Sequence, residues 1–170
     1  MDANSNTNYE LSICSFDDDK QYEELTQFIY SLYPQDKVIF SRSSNTFTIG
    51  EGKQSAYKHS TGDIIAFLDA DMVFLTPHII KEAIRVCSEE GAYFPICYSF
   101  YKSGEGRWRN EGWGNSFISR TLMESTEWWV KEEWGEEDIQ FRNDIIKQTK
   151  NIVRENCPGL YHQFHPPTRS

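Results

Sequence analysis

Residues 61–74 read TGDIIAFLDADMVF, and this stretch decides the fold. Ile64, Ile65, Ala66, Phe67 and Leu68 form a short apolar run of the kind that makes a buried strand. The run stops at two carboxylates, Asp69 and Asp71, separated only by Ala70. Carboxylates are almost never buried unless they are paired or bind a cation. In open α/β sheets, ligands gather beyond the carboxyl ends of the strands. A divalent cation held by Asp69 and Asp71 is therefore the expectation. The plainer alternative is that both residues only initiate a turn, as Asp often does.

Outward from that stretch, strand and helix patterns alternate. A strand is expected over 10–16 and a helix over 20–32, where Tyr22, Leu25, Phe28, Ile29 and Leu32 share one face and Pro34 follows. A short strand over 37–40 leads into a polar loop over 41–52 and a short helix over 53–59. Pro77 opens a helix that Gly91 ends. An aromatic-rich strand covers 92–101, and the composition of 103–114, SGEGRWRNEGWG, reads as a loop. A strand over 116–120, a helix over 121–127, a helix over 136–148 and a short strand over 151–154 complete the pattern. The helix over 136–148 opens with Glu136, Glu137 and Asp138, which suit the positive end of its dipole. Such alternation predicts a three-layer α/β/α, Rossmann-like domain with a mostly parallel central sheet.

Bulk properties narrow the partners. A chain of 170 residues suits one domain over 1–170, with residues 1–8 as a polar, frayed start. The net charge of −9 argues against nucleic acid or an anionic membrane as the main partner. It leaves room for a phosphorylated small molecule, because a cation can bridge acid to phosphate. No apolar run approaches the roughly 20 residues of a membrane span, and residues 1–8 lack a signal-peptide core. Cys14, Cys87, Cys97 and Cys157 are widely spaced and form no Cys-x-x-Cys pair. They read as reduced thiols of a cytoplasmic protein.

Three further segments carry chemistry-bearing residues: Glu111–Arg120 (EGWGNSFISR), Trp134–Asp138 (WGEED) and Tyr161–Pro166 (YHQFHP). Taken in order with TGDIIAFLDAD, they resemble the GT-A glycosyltransferases. The likeness is to the family 2 enzymes and to relatives of the galactosyltransferase C-terminal domain. It covers nearly the whole chain. Each motif is weak alone; four in the expected order are specific. The sequence departs from the pattern in two places. Phe40-Ser41-Arg42-Ser43 stands where many family 2 enzymes carry an acidic pair, and Lys53-Gln54 replaces the usual Arg-Asn.

The resemblance implies an inverting transfer of a sugar from a nucleotide-diphosphate donor, UDP-linked, to a glycan hydroxyl, with Mn²⁺ or Mg²⁺ as cofactor. Asp71 would bind the metal directly. Asp69, with Ala70 beside it, would reach the ribose of the nucleotide sugar, or the metal through water. His162 or His165 would add a ligand. A spacing of three puts the two histidines on opposite faces of a strand, so at most one of them is expected to touch the metal, and His162 is preferred. Ser15, Phe16, Arg42 and Lys53 would line the nucleotide, although Arg42 could instead pair with an acid. Asp138 would be the general base. Glu137, Trp113, Gly114 and Trp134 would form the acceptor side, aromatic faces suiting sugar rings. Without the resemblance, 136–138 reads simply as a charged first helical turn, and the histidines as part of a surface tail. Two alternatives belong to other classes. A metal-dependent nucleotidyltransferase would need a basic Gly-rich loop after the first strand, where Ser15-Phe16-Asp17-Asp18-Asp19 is acidic. A catalytically silent carbohydrate- or nucleotide-binding module would need no base.

Overall fold

A computed structural model describes residues 10–16, 19–43, 48–69, 71–126 and 136–165. The chain divides into two compact units, Met1–Gly62 with Trp128–Glu137, and Asp63–Glu127 with Asp138–Ser170.

The first unit is a β-α-β-α arrangement. Strands β1 (Leu11–Ser15) and β2 (Val38–Arg42) run parallel, from Leu11 opposite Val38 to Ser15 opposite Arg42. Helix α1 (Asp19–Leu32) connects them and sets Tyr22 and Tyr30 edge-on against Phe40, with ring centroids 5.9 and 5.6 Å away. Helix α2 (Ile49–His59) starts four residues earlier than composition suggests. Thr48 is the reason: its hydroxyl accepts from the Glu51 amide at 3.1 Å, a capping bond that outweighs the helix-poor Ile-Gly start. Ser12 on β1 donates to the Ala56 carbonyl at 2.6 Å and ties α2 to the strand.

The second unit holds β3 (Ile64–Phe67), β4 (Met72–Phe74), α3 (His78–Cys87), β5 (Ala92–Phe100), β6 (Gly106–Trp108), β7 (Ser116–Ser119), α4 (Arg120–Glu124) and β8 (Ile152–His162). Helix α5 (Glu136–Gln148) enters this unit from Asp138 onward. Strand order is β3-β7-β5-β8-β4, with β6 on the far part of β5. The α/β class is as expected, but the sheet is mixed rather than mostly parallel. Among the described residues only β5 and β8 run parallel in it; β3–β7, β5–β7, β5–β6 and β4–β8 are antiparallel. Helices intervene between β5 and β8, but they also intervene between β4 and β8, which are antiparallel, so alternation along the chain does not fix the direction of pairing. Between β5 and β6 the chain folds straight back through a turn at Gly104 (φ +87°), which makes that pair antiparallel.

Helix α3 covers this sheet with its apolar stripe. Ile79, Ala83, Val86 and Cys87 pack with Tyr93, Cys97, Phe117, Cys157 and Leu160. Full burial of the Ile, Val, Leu and Phe side chains among them contributes about 1.5–3 kcal/mol each. Burial pushes the Cys87 thiol up to about 12, so it packs as an apolar group and is not a nucleophile. Phe141 of α5 meets Phe67 of β3 edge-on at 5.7 Å, and Ile145 is fully buried. Among the described residues no helix is long and apolar enough to cross a membrane.

Candidate active site

Strand β3 ends at Phe67, so the alternation of side chains ends there too. The chain turns at once, with the Met72 amide donating to the Asp69 carbonyl at 3.1 Å, and β4 begins. That turn sends the two aspartates to different neighbours. Asn115 braces it: its side-chain oxygen accepts from the Asp69 amide at 3.4 Å, and its Nδ2 lies 3.7 Å from Met72 Sδ.

Asp71 faces β8. Met72 pairs with His162 across the β4–β8 ladder. His162 Nε2 lies 3.1 Å and His165 Nε2 3.0 Å from the same oxygen, Asp71 Oδ2. One ligand atom from each of the three residues lies within 4.8 Å of the others. The expectation that only one histidine reaches this point is corrected. Strand β8 stops at His162, the Gln163 amide donates to the Asp71 carbonyl at 3.1 Å, and the chain curls back so that His165 arrives on the same side. A period of two has no force once the strand has ended.

The three residues fit a divalent metal. Cis ligands of an octahedral ion at roughly 2.1 Å stand about 3 Å apart, the spacing between each imidazole nitrogen and the Asp71 oxygen. Asp71 Oδ1 is buried and has no hydrogen-bond partner among the described residues, an uncompensated acceptor that a cation would satisfy. Two imidazoles and a carboxylate favour a first-row transition ion over Mg²⁺. Asp69 lies outside this group.

Asp69 instead approaches Gly114, as does Asp138. A methyl group on the Gly114 Cα would sit 2.8 Å from Asp138 Oδ2 and 3.5 Å from Asp69 Oδ2. Glycine is thus what lets two carboxylates converge on the backbone of the 110–114 loop. That loop is held by Arg154 of β8, whose guanidinium donates to the carbonyls of Asn110 and Gly112, the latter at 2.8 Å. Trp113 is engaged as well. Arg154 Cζ lies 3.7 Å and Arg142 Cζ 4.7 Å from its ring centroid, and Phe94 meets it edge-on at 5.1 Å. Burial, and after it the Arg142 charge, lower the proton affinity of the Arg154 guanidinium from its ordinary value. With these neighbours Trp113 anchors the loop.

The remaining expected residues lie as follows. Glu137 is buried, at 6 % exposure, in the first turn of α5. In the first unit, Ser15 and Arg42 are paired at the carboxyl ends of β1 and β2. The Ser15 carbonyl accepts from the Ser43 amide at 3.0 Å. Phe16 lies against Gly52, where a methyl group would meet its ring at 3.4 Å. Arg42 pairs with Asp19 and stacks over Tyr22 at 5.4 Å, the acid partner left open from its sequence. Lys53 is partly buried on α2. Ala70 and Trp134 fall outside the described residues. Sequence reasoning missed Asn115 and Arg154. Asn115 stood inside the quoted EGWGNSFISR segment, whereas nothing local marks Arg154.

Comparison with known proteins gives the family of the chain. The family model for glycosyl transferase family 2 matches residues 2–162. Chondroitin sulfate synthase 3 of Mus musculus is 24% identical over 164 residues, covering 84% of this chain and 19% of that protein. Chondroitin sulfate synthase 3 of Homo sapiens is 22% identical over 170 residues, covering 88% and 19%. The chain thus spans about a fifth of the length of these relatives.

Proposed function

The chain belongs to glycosyl transferase family 2, and from that premise we propose that it is an inverting, metal-dependent hexosyltransferase. The donor is a nucleotide-diphosphate sugar, UDP-linked, and the acceptor a hydroxyl of a glycan. The observation that carries the reading is the convergence of His162 and His165 on one oxygen of Asp71. These three residues would hold Mn²⁺, or Mg²⁺ less well. Bound there, the ion supplies Lewis-acid stabilisation of the diphosphate as it leaves.

The other roles fall to this chain's own groups. Asp138 takes the proton from the acceptor hydroxyl, and a single in-line displacement inverts the anomeric carbon. Asp69, whose carboxylate like that of Asp138 lies close to Gly114, positions the donor through its ribose, with Ala70 beside it. Glu137 hydrogen-bonds acceptor hydroxyls. Trp113, Gly114 and Trp134 shape the acceptor side, Trp113 by holding the loop. Ser15, Phe16, Arg42 and Lys53 line the nucleotide, with Arg42 exchanging Asp19 for it. One catalytic domain is the reading that suits a family match running through both compact units. A reducing, cytoplasmic setting suits four free cysteines, of which Cys87, Cys97 and Cys157 are buried.

A thermal-shift panel of nucleotide sugars with and without Mn²⁺ tests the proposal. Ligands that bind the native state raise its apparent stability. UDP and UDP-sugars are expected to stabilise the protein only with Mn²⁺ present. Absence of any response to nucleotide or metal would leave a silent binding module instead.

A further inference from the structure

We propose that Ser99 is a positioning residue for the metal site, holding His162 so that its Nε2 faces Asp71. The inference rests on the metal reading of Asp71, His162 and His165. Ser99 Oγ lies 3.0 Å from His162 Nδ1, on the side of the ring opposite to the Asp71 contact. A histidine that ligates through Nε2 carries its proton on Nδ1. Ser99 Oγ stands where it accepts that proton's hydrogen bond, which selects the ligating tautomer and fixes the ring plane.

The pairing is built by an irregularity in β8. From Ala92 opposite Ile152 to Ile96 opposite Asn156, partner numbers on β8 run 60 ahead of β5. From Tyr98 opposite Tyr161 to Ser99 opposite His162 they run 63 ahead. Had the first register continued, Ser99 would face Gly159 and the histidine would lie beyond the end of β5. The three additional residues are absorbed around Pro158-Gly159, where Gly159 adopts φ +99°. A side chain there would be strained by that φ and would meet Thr76 Cγ2 and Oγ1 at 2.8 Å. The Leu75 amide donates to the Gly159 carbonyl at 2.8 Å, pinning the bulge to the end of β4. Bulges of this kind re-aim side chains beside active sites. On its other flank, Ser99 is clamped by β6. Gly106 approaches so closely that a methyl group would lie 2.2 Å from the Ser99 carbonyl oxygen. The backbone of Ser99 is therefore held from both sides, and its hydroxyl is a rigid reference point for the imidazole.

The test uses the full chain and Mn²⁺ titrations read by electron paramagnetic resonance of the free ion. Ser99→Thr keeps the hydroxyl, whereas Ser99→Val removes it at equal bulk. Ser99→Val is expected to weaken Mn²⁺ binding roughly 10–100-fold, with Ser99→Thr close to wild type and the metal-free melting temperatures of the two variants alike. By NMR, a protected His162 Nδ1–H is expected in wild type and in Ser99→Thr but not in Ser99→Val, even without metal. Equal Mn²⁺ affinity in Thr and Val variants, or absence of that proton signal from wild type, overturns the positioning role alone. A wild-type protein that binds no Mn²⁺, or binds it as well after His162→Ala, takes down the metal reading and this inference with it.

Discussion

Asp69 and Asp71 stand two residues apart and keep different company. Asp71 turns to the end of β8, where two histidines meet one of its oxygens. Asp69 turns to Gly114, which Asp138 at the start of α5 also approaches. In a continuing strand, residues i and i+2 point to the same face. The turn after Phe67 breaks that rule and gives one short motif two chemical environments. One gathers ligands for a cation and the other brings two acids to a backbone with no side chain between them.

The largest expected effect tests the second environment. Asp138→Asn should lower turnover by about 10²–10⁴-fold, the span of a lost general base, while nucleotide-sugar binding in a thermal-shift assay stays nearly intact. Normal turnover in that variant removes the assignment. The first environment is tested by Asp71→Ala, which should cost more Mn²⁺ affinity than the roughly 10–100-fold of losing a supporting hydrogen bond. Asp69→Ala should cost far less in the same titration. Equal losses for the two aspartates would erase the contrast between them.

A subtler change sharpens it. Gly114→Ala puts a methyl group 2.8 Å from Asp138 Oδ2. The flexible carboxylate can swing away, so stability should change little. Misplacing a reacting group by about 1 Å can nevertheless cost about 10²-fold in rate. We expect a fall of that order in kcat at unchanged Mn²⁺ affinity, measured side by side with wild type. The smallest effect lies in the first unit. Thr48→Ala removes the cap of α2 and should lower unfolding stability by about 1 kcal/mol, read by urea titration, with Mn²⁺ binding unaffected.

Much of the architecture was legible from local pattern. The apolar run of β3, the amphipathic stripe of α3 and the acidic start of α5 each follow from neighbours within one or two turns. Direction of pairing was less legible. Alternating strands and helices pointed to parallel neighbours, yet β4 and β6 are three-residue strands inside segments that read as turn and loop. Strand β8 runs 11 residues because its Pro158-Gly159 step, locally a breaker, is a bulge when strands lie on both sides. In the candidate site, Asp71, His162, Gly114 and Asp138 were all recognisable as residues. The second histidine was set aside because strand geometry was extended past the point where the strand ends.

The order of residues by itself determined the chemical inventory: two acids at a strand end, an acid-rich helix start, a glycine-rich loop and two terminal histidines. Those are properties of neighbours along the chain, and they persist whatever the fold does around them. Only the tertiary structure decided who meets whom. Ser99 faces His162 because a bulge shifts one strand by three residues, and Asp69 and Asp138, far apart in the chain, both approach Gly114. Contacts between distant parts of the chain depend on register and turns, which no local pattern encodes.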